Sequence, residues 1–555
     1  MQQERDKVQI GIDLGTTYSS MAYVAIKRTG HGAIPVTRIA TDDTEDRPER
    51  IFIPSAVCAT LNDEAEIVWT VGAKALQDAK ELGKRAHLYL GYKLHIGSVF
   101  DQKDNPITLD TPDGTTVTID VTPDQIAEKL VAYLYNLAFG SDQAPLGDSE
   151  PTSVSVSVPA LWKTENKQVV INLVERAGFS RDTVRTVEEP IAALYNFLSE
   201  DNQLLRGAEK YVMVTDYGGG TCDIAIVKTS KDADKLLARG EQGGEVVGRG
   251  SITRGGINLD RRIAEELLAP QLHDLELPES LLLVKAEQVK IAFANLLRDQ
   301  DRTYPLDDSL ILRHVIELPN GKREVETSLE HFREILKPEL RKLREPIEEA
   351  LHFASANGGK KISLADIVQV FLTGGTALLP LVTEEVHQIF GETERGVRIY
   401  NREPRRSIVY GTALYAYYCD YGLIPSIAMT LRHDIWMDGM IRIVLAKRGT
   451  RLPHQFRDTV FFTSLEQTNE VSVLLYQGNK DKFRQLGRPK TFALAKPARI
   501  GSRFRIEGEI DESGLVTISI SRIGSPNEKF ELIREAPIEA KSDMEAMEER
   551  TKRQH

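Results

Sequence analysis

The sequence predicts two α/β lobes of similar design followed by an all-β domain. A strand–aspartate–glycine–threonine–strand pattern occurs near the N-terminus and again about 200 residues later, and strands alternate with helices around both copies. After about residue 422, strand signals replace helical ones. Recurrence at that distance points to a duplicated lobe rather than a short-period array, and alternation of strand and helix marks α/β architecture.

The first apolar run, Val8-Gln-Ile-Gly-Ile12, breaks at Asp13-Leu-Gly-Thr-Thr17 and resumes at Met21-Ala-Tyr-Val-Ala-Ile26. Strand, tight turn, strand is the natural reading. Residues 123–139 carry apolar groups at helical spacing, with Pro123 suited to a first turn. Ser153-Val-Ser-Val-Ser-Val158 predicts a strand, residues 164–177 a helix stopped at Gly178, and Glu188-Glu-Pro-Ile-Ala-Ala-Leu194 the start of another. Tyr211-Val-Met-Val214, Asp216-Tyr-Gly-Gly-Gly-Thr221 and Asp223-Ile-Ala-Ile-Val227 then repeat the opening pattern, and residues 366–376 read as a buried strand opening into a glycine turn. Further on, Met440-Ile-Arg-Ile-Val-Leu445, Val471-Ser-Val-Leu-Leu-Tyr476 and a hairpin over 503–521 around Asp511-Glu-Ser-Gly514 predict β-structure. The expected division is 1–422, 423–530 and a charged tail, 531–555, with room for one short helix.

Composition narrows the classes. At 555 residues the chain is too long for one ordinary domain. Its 41% hydrophobic content excludes dominant disorder and fibrous architectures. A net charge of −12, spread along the chain, argues against a general nucleic-acid binder. The three cysteines Cys58, Cys222 and Cys419 lie far apart, which suits a reduced compartment and suggests no zinc site. With no apolar leader and no run long enough for a membrane span, a cytoplasmic protein is expected.

The two glycine–threonine turns carry chemistry. A polyphosphate needs backbone N–H groups aimed at its oxygens and no side chain in the way. Gly15-Thr16-Thr17 and Gly218-Gly219-Gly220-Thr221 each supply such a nest. Asp13 and Asp216, at the strand ends, suit Mg²⁺ held through water. Either turn alone reads equally well as a plain hairpin; two matched copies with matched aspartates favour the phosphate site. Cys222 reads as a small packed hydrophobe, and Trp162, Trp436 and Phe461-Phe462 as core.

These residues, together with Tyr92-Lys-Leu94, Glu189-Pro190, Gly255-Gly-Ile-Asn-Leu-Asp260 and Gly374-Gly-Thr-Ala-Leu-Leu-Pro380, resemble the actin, sugar-kinase and heat-shock ATPase superfamily. Within it the chain resembles the 70-kDa heat-shock chaperones. The resemblance runs on through Ile443-Val-Leu-Ala-Lys447, Leu452-Pro453, residues 471–478 and Gly514-Leu-Val-Thr-Ile-Ser-Ile520, and so spans about residues 8–525.

That resemblance implies a two-lobed actin-like ATPase domain, a duplicated ribonuclease-H-like fold, followed by a β-sandwich peptide-binding domain. It implies ATP and Mg²⁺ as cofactors, slow hydrolysis to ADP and phosphate, and binding of exposed apolar, extended polypeptide segments under nucleotide control. A J-domain co-chaperone and a nucleotide-exchange factor are the further partners it brings. Lys93 matches the catalytic lysine and Glu189 the glutamate that links nucleotide state to lobe closure; Asp216 and Thr221 complete the catalytic set. Thr16, Thr17 and the glycines Gly15, Gly218, Gly219, Gly220, Gly255 and Gly256 would hold phosphate. Asp13, Asp216 and Asp223 would organise Mg²⁺ through water. Glu287 and Lys290 match the ribose- and adenine-facing helix, with Gly374, Gly375 and Thr376 at the nucleoside. Met437, Met440, Phe461, Val471 and Val473 match pocket-lining stretches of the peptide domain.

Departures from the pattern cluster at the base and between the domains. Ile291, Ala294, Leu378 and Arg405 stand where the family places polar or oppositely charged groups. Tyr417-Tyr-Cys-Asp-Tyr-Gly-Leu-Ile424 replaces the acidic, leucine-rich linker, and about 18 residues follow Pro537, too few for the helical lid. A lidless chaperone is therefore expected to release peptide quickly. The alternative is an ATP-gated platform for one dedicated protein partner. A sugar-type kinase or filament former on the same fold is disfavoured by the β domain.

Overall fold

The computed structural model describes residues 6–24, 36–38, 52–62, 64–82, 85–97, 107–111, 115–141, 144–160, 162, 164–200, 209–233, 242–275, 277, 279–298, 306–318, 321–358, 360–391, 397–401, 404–421, 427–431, 434–438, 443–456, 462–463, 468–479, 482–511, 513–523 and 525–532.

Two mixed sheets share one wiring. In the first, the strand Asp6–Asp13 pairs antiparallel with Tyr18–Val24, which pairs with Val36–Arg38; on its other side lie the parallel strands Ser149–Val158 and Val184–Glu188. In the second, Tyr211–Tyr217 pairs antiparallel with Cys222–Thr229, which pairs with Gly244–Ile252; on its other side lie the parallel strands Ile367–Thr373 and Arg398–Tyr400. The strand Tyr211–Tyr217 is buried along its whole length and Asp6–Asp13 along most of it, and the two together are rich in Val, Ile and Met. Each Asp-Gly turn sits at the end of its sheet's central strand.

The helices start where local chemistry dictates. Thr122 caps Pro123–Phe139, accepting from Gln125 N while the Gln125 side chain accepts from Thr122 N. The helix Thr164–Arg176 is followed by Gly178 at φ +124°, a value glycine tolerates. None of the helices among the described residues is long and apolar enough to cross a membrane.

The helix Ser407–Asp420 fixes the centre of the molecule. It is apolar nearly all round and packs on both the strand Asp6–Asp13 and the helix Glu189–Glu200. Glycines permit that approach. A Cβ on Gly411 would lie 1.5 Å from the Ala192 carbonyl oxygen, and one on Gly11 would lie 2.3 Å from Ala413 N. Alanine in a helix interior ordinarily stabilises by about 1 kcal/mol. Gly411→Ala should instead cost about 2 kcal/mol or more, because two backbones must separate. Urea unfolding measures this; a stabilised variant would contradict the packing described.

The C-terminal strands form two antiparallel sheets. One has the order Ile443–Ala446, Asp434–Asp438, Thr468–Asn479, Lys482–Ala498; the other has His454–Phe456, Arg503–Ile510, Val516–Arg522, Ser525–Leu532, with Phe462–Thr463 beside Arg503–Ile510. The expected hairpin over 503–521 is present, with Gly514 at φ +81° in its turn. The sequence division at 422/423 falls outside the described residues. Just beyond it, Ile427–Thr430 runs parallel to Gly244–Ile252 and antiparallel to Arg451–Leu452, so residues assigned to the β region extend the second mixed sheet. Residues 531–532 end the strand Ser525–Leu532 rather than begin a tail; the helix considered for the tail lies outside the described residues.

Candidate nucleotide and phosphate site

Both Asp-Gly turns open onto one cavity. Asp13, Gly15, Thr16, Thr17, Lys93, Glu189, Asp216, Gly218, Gly219, Thr221, Glu287, Lys290, Gly374, Gly375 and Thr376 line it, joined by Tyr18, Phe52, Ile291, Arg405 and Ile408. Side chains separated by more than 350 residues in sequence thus meet around one space.

The glycines are required by space. The first turn is braced by Ser19 Oγ, which accepts from Gly15 N at 3.1 Å, and by Ser55 Oγ, which donates to Gly15 O at 2.7 Å. In the second, Gly218 N donates to Thr221 O, and the start of the helix Gly256–Ile263 donates to the carbonyls of Gly218 and Gly219. A Cβ on Gly219 would lie 2.1 Å from Thr17 Oγ1, and one on Gly220 would lie 2.8 Å from Thr16 Oγ1, so the two turns touch. A Cβ on Gly255 would lie 2.5 Å from the Gly219 backbone, one on Gly256 2.6 Å from Thr376 Oγ1, and one on Gly374, at φ +87°, 2.4 Å from Asp216 Oδ1. Gly220, Gly255 and Gly256 therefore support the cradle from behind rather than line it.

Lys93 is buried and paired. It sits in the short turn Tyr92–His95, only 4% exposed, behind Gly91 in the left-handed region at φ 68° and anchored by buried Tyr92. Its Nζ pairs with Glu189 Oε1 and lies 5.9 Å from the centroid of the Trp162 ring. Burial pulls the ammonium's pKa down, but Glu189, Asp13 and Asp216 more than reverse this, so it stays above its usual range. Trp162, expected in the core, is half-buried beside this lysine.

Three aspartates face the pair from both sheets. Asp216 and Asp223 lie opposite one another in register on the second hairpin. Asp13 Oδ1 accepts from Ser157 Oγ at 2.7 Å. Asp223 lies behind the lining, accepting from Ala160 N at 2.9 Å and Ser251 Oγ at 2.6 Å. Burial raises Asp13 to about 6, against the pull of Lys93, and raises Asp223 to about 7. Asp216 is pushed well above the carboxylate range by burial and by Glu189. Asp216 Oδ1 and Asp223 Oδ2 are buried acceptors with no hydrogen-bond partner among the described residues. Among the described residues, no three His, Cys, Asp or Glu side chains converge on a common metal position. Buried carboxylate oxygens without donors suit a hydrated cation such as Mg²⁺.

A carboxyl whose folded pKa exceeds its ordinary 3.8 holds its proton longer when folded. Its contribution to stability is present below that ordinary value and is lost as pH rises through the folded pKa. With nucleotide absent and metal chelated, thermal stability should therefore decline between about pH 4 and 7 by this route, and less steeply in Asp223→Asn. Equal pH slopes for the two proteins would contradict the assignment.

The far end of the cavity differs in character. Lys290 Nζ is 2.7 Å from Asp260 Oδ1 and also donates to Gly256 O at 3.2 Å. Glu287, from the same helix, has its pKa raised by burial. Tyr18, Phe52 and Ile408 were not singled out by sequence reasoning: nothing in their local pattern separates them from core residues.

The expected peptide-contact residues divide. Met437 and Val473 are 1% and 4% exposed and pack with Ile435, Leu475 and Leu445 in a core that continues into the helix Glu189–Glu200. They are core positions here rather than an open groove. Val471 lies on the strand Thr468–Asn479 opposite Phe492. Met440 and Phe461 lie outside the described residues. Cys222 is buried, and burial pushes its thiol pKa well up, in line with the packing reading.

A cavity between two like-wired sheets, with paired glycine turns, buried carboxylates and the buried Lys93, suits a nucleotide-phosphate-handling class of protein. Residues 9–555 match the family described as Hsp70 protein. A relative from Methylococcus capsulatus, "Chaperone protein HscA homolog", is 24% identical over 92% of this chain and 76% of its own length. "Chaperone protein DnaK" of Deinococcus proteolyticus is 25% identical over 97% of this chain and 80% of its own. The chain belongs to the Hsp70 family of chaperones.

Proposed function

We propose that this Hsp70-type chaperone binds and slowly hydrolyses ATP in the cavity between its two mixed sheets, acting as the lobes of an actin-like ATPase. Its C-terminal β sheets form a peptide-binding sandwich whose affinity follows nucleotide state. The observation that carries the reading is the Lys93–Glu189 pair, buried between two glycine cradles beside Asp13 and Asp216.

Each group has a task set by its chemistry. The two turns present backbone N–H groups and threonine hydroxyls to the phosphates. Asp13, Asp216 and Asp223 would hold Mg²⁺ through its water shell, and the ion would offset charge on the phosphate oxygens. Lys93 places a desolvated cation where negative charge builds during transfer of the γ-phosphoryl group to water. Glu189 orients that lysine and offers the carboxylate that positions the attacking water.

The coupling route is supported by contacts of the hairpin turn at 511–515. Ser513 Oγ accepts from Thr186 N at 3.0 Å, Lys167 Nζ donates to Ser513 O at 3.0 Å, and Leu515 is buried in the first sheet's core. Thr186 belongs to the strand Val184–Glu188, which runs directly into Glu189. A shift of Glu189 on nucleotide binding would thus reach the β sheets along one strand.

Equilibrium anisotropy with a fluorescent apolar, extended peptide tests the reading. ATP should weaken binding about 5- to 150-fold relative to ADP, the usual span of a coupling free energy. In Leu515→Asp this ratio should fall below about 3-fold while ATP binding is retained. Peptide affinity indifferent to nucleotide in the unmodified protein would reject the proposal.

A further inference from the structure

The cavity contains a cation to which the phosphate chemistry above gives no task. Arg405 lines it with Tyr18, Phe52, Glu287, Ile291 and Ile408. Its guanidinium lies 5.6 Å from the Tyr18 ring centroid and 5.8 Å from that of Phe52. It makes no hydrogen bond or ion pair among the described residues.

Its position is set by backbone. The carbonyl of Pro404 accepts from Gly374 N at 3.0 Å and from Thr373 Oγ1 at 2.8 Å, tying this segment to the glycine turn that lines the cavity. A Cβ on Gly375 would lie 3.9 Å from Arg405 Nε, so the side chain lies directly against that turn.

A guanidinium held within cation–π reach of two rings, with no hydrogen bond or ion pair among the described residues, has its N–H groups available to a ligand. A rigid fork of donors matches an edge carrying two neighbouring acceptors. Among purines, guanine presents such an edge in O6 and N7, whereas adenine sets an amino donor beside its N7. Glu287 adds an acceptor at the same end, suited to the N–H groups of guanine. Ile291 and Ile408 contribute apolar surface and no donor that would favour adenine.

Resting on the nucleotide reading above, we propose that the site takes a guanine base at least as well as adenine, and that Arg405 is the residue that reads the 6-oxo edge. Titration calorimetry of the full chain with Mg²⁺ and ATP, GTP, inosine triphosphate or inorganic tripolyphosphate tests this. GTP and inosine triphosphate should bind at least as tightly as ATP. In Arg405→Met their affinities should fall about 5- to 150-fold, the discrimination carried by one bidentate contact. ATP and tripolyphosphate should change by less than about three-fold. Arg405→Lys, which keeps the charge and loses the fork, should show the same selective loss. ATP binding more than about ten-fold tighter than GTP, or equal losses for both in Arg405→Met, would overturn the assignment while leaving the nucleotide site standing. Failure of every triphosphate, tripolyphosphate included, to bind would overturn both readings.

Discussion

Lys93→Ala is expected to lower ATP hydrolysis by about 100- to 1000-fold, the usual effect of removing one preorganised charge-stabilising group, with nucleotide affinity changed little. The lysine is buried against Glu189 and faces Asp13 and Asp216, so its charge acts with little screening by water. Single-turnover hydrolysis and calorimetry separate the two effects. Equal losses in affinity and rate would instead make Lys93 a ground-state binding group. Removing one partner of a buried ion pair also costs about 3–5 kcal/mol of stability, because Glu189 is left unpaired. A Lys93→Met, Glu189→Gln double variant should recover stability and remain inactive. That combination distinguishes a chemical role from a structural one.

Gly219→Val is the second large effect. Its Cβ would fall 2.1 Å from Thr17 Oγ1 and 3.2 Å from Thr17 Cβ, driving the two glycine turns apart where both must face one ligand. Nucleotide affinity should drop by about 5- to 150-fold, since overpacking two backbone-held elements costs about 1–3 kcal/mol. Gly219 is not among the glycines with positive φ, so the fold should tolerate the change better than the site does. Calorimetric binding together with a thermal melt checks the contrast. Retained affinity would mean that the turns need not touch for nucleotide to bind.

What the sequence made legible follows from how local each signal is. The strand–Asp–Gly–Thr–strand turns declare themselves because aspartate, glycine and threonine do their work within a few residues, and the repeat appears again in the matched wiring of the two sheets. Lys93 and Glu189 meet across 96 residues of chain. Nothing within either segment announces the pair, and only the family's motifs brought them forward. Tyr18 and Phe52 gave no signal, because an aromatic residue beside a strand reads as core whether or not it borders a cavity. Arg405 was visible as a departure; its place within cation–π reach of those two rings was not. Met437 and Val473 show the converse: strand periodicity assigns a face, and only the assembled sheets decide whether that face meets a ligand or the core. The pairing of Ile427–Thr430 with Gly244–Ile252 was beyond reach for the same reason, since parallel register across some 180 residues has no local signature.

The central claim is that nucleotide in the cavity governs peptide held by the C-terminal β sheets. Its most direct test is the dissociation rate of a pre-bound fluorescent, apolar peptide after mixing with ATP or ADP, for the unmodified protein and for Lys93→Ala. The proposal predicts that ATP accelerates release in both proteins and ADP in neither, because binding of ATP, not its hydrolysis, drives the change. Identical rates with ATP and ADP in the unmodified protein would contradict it.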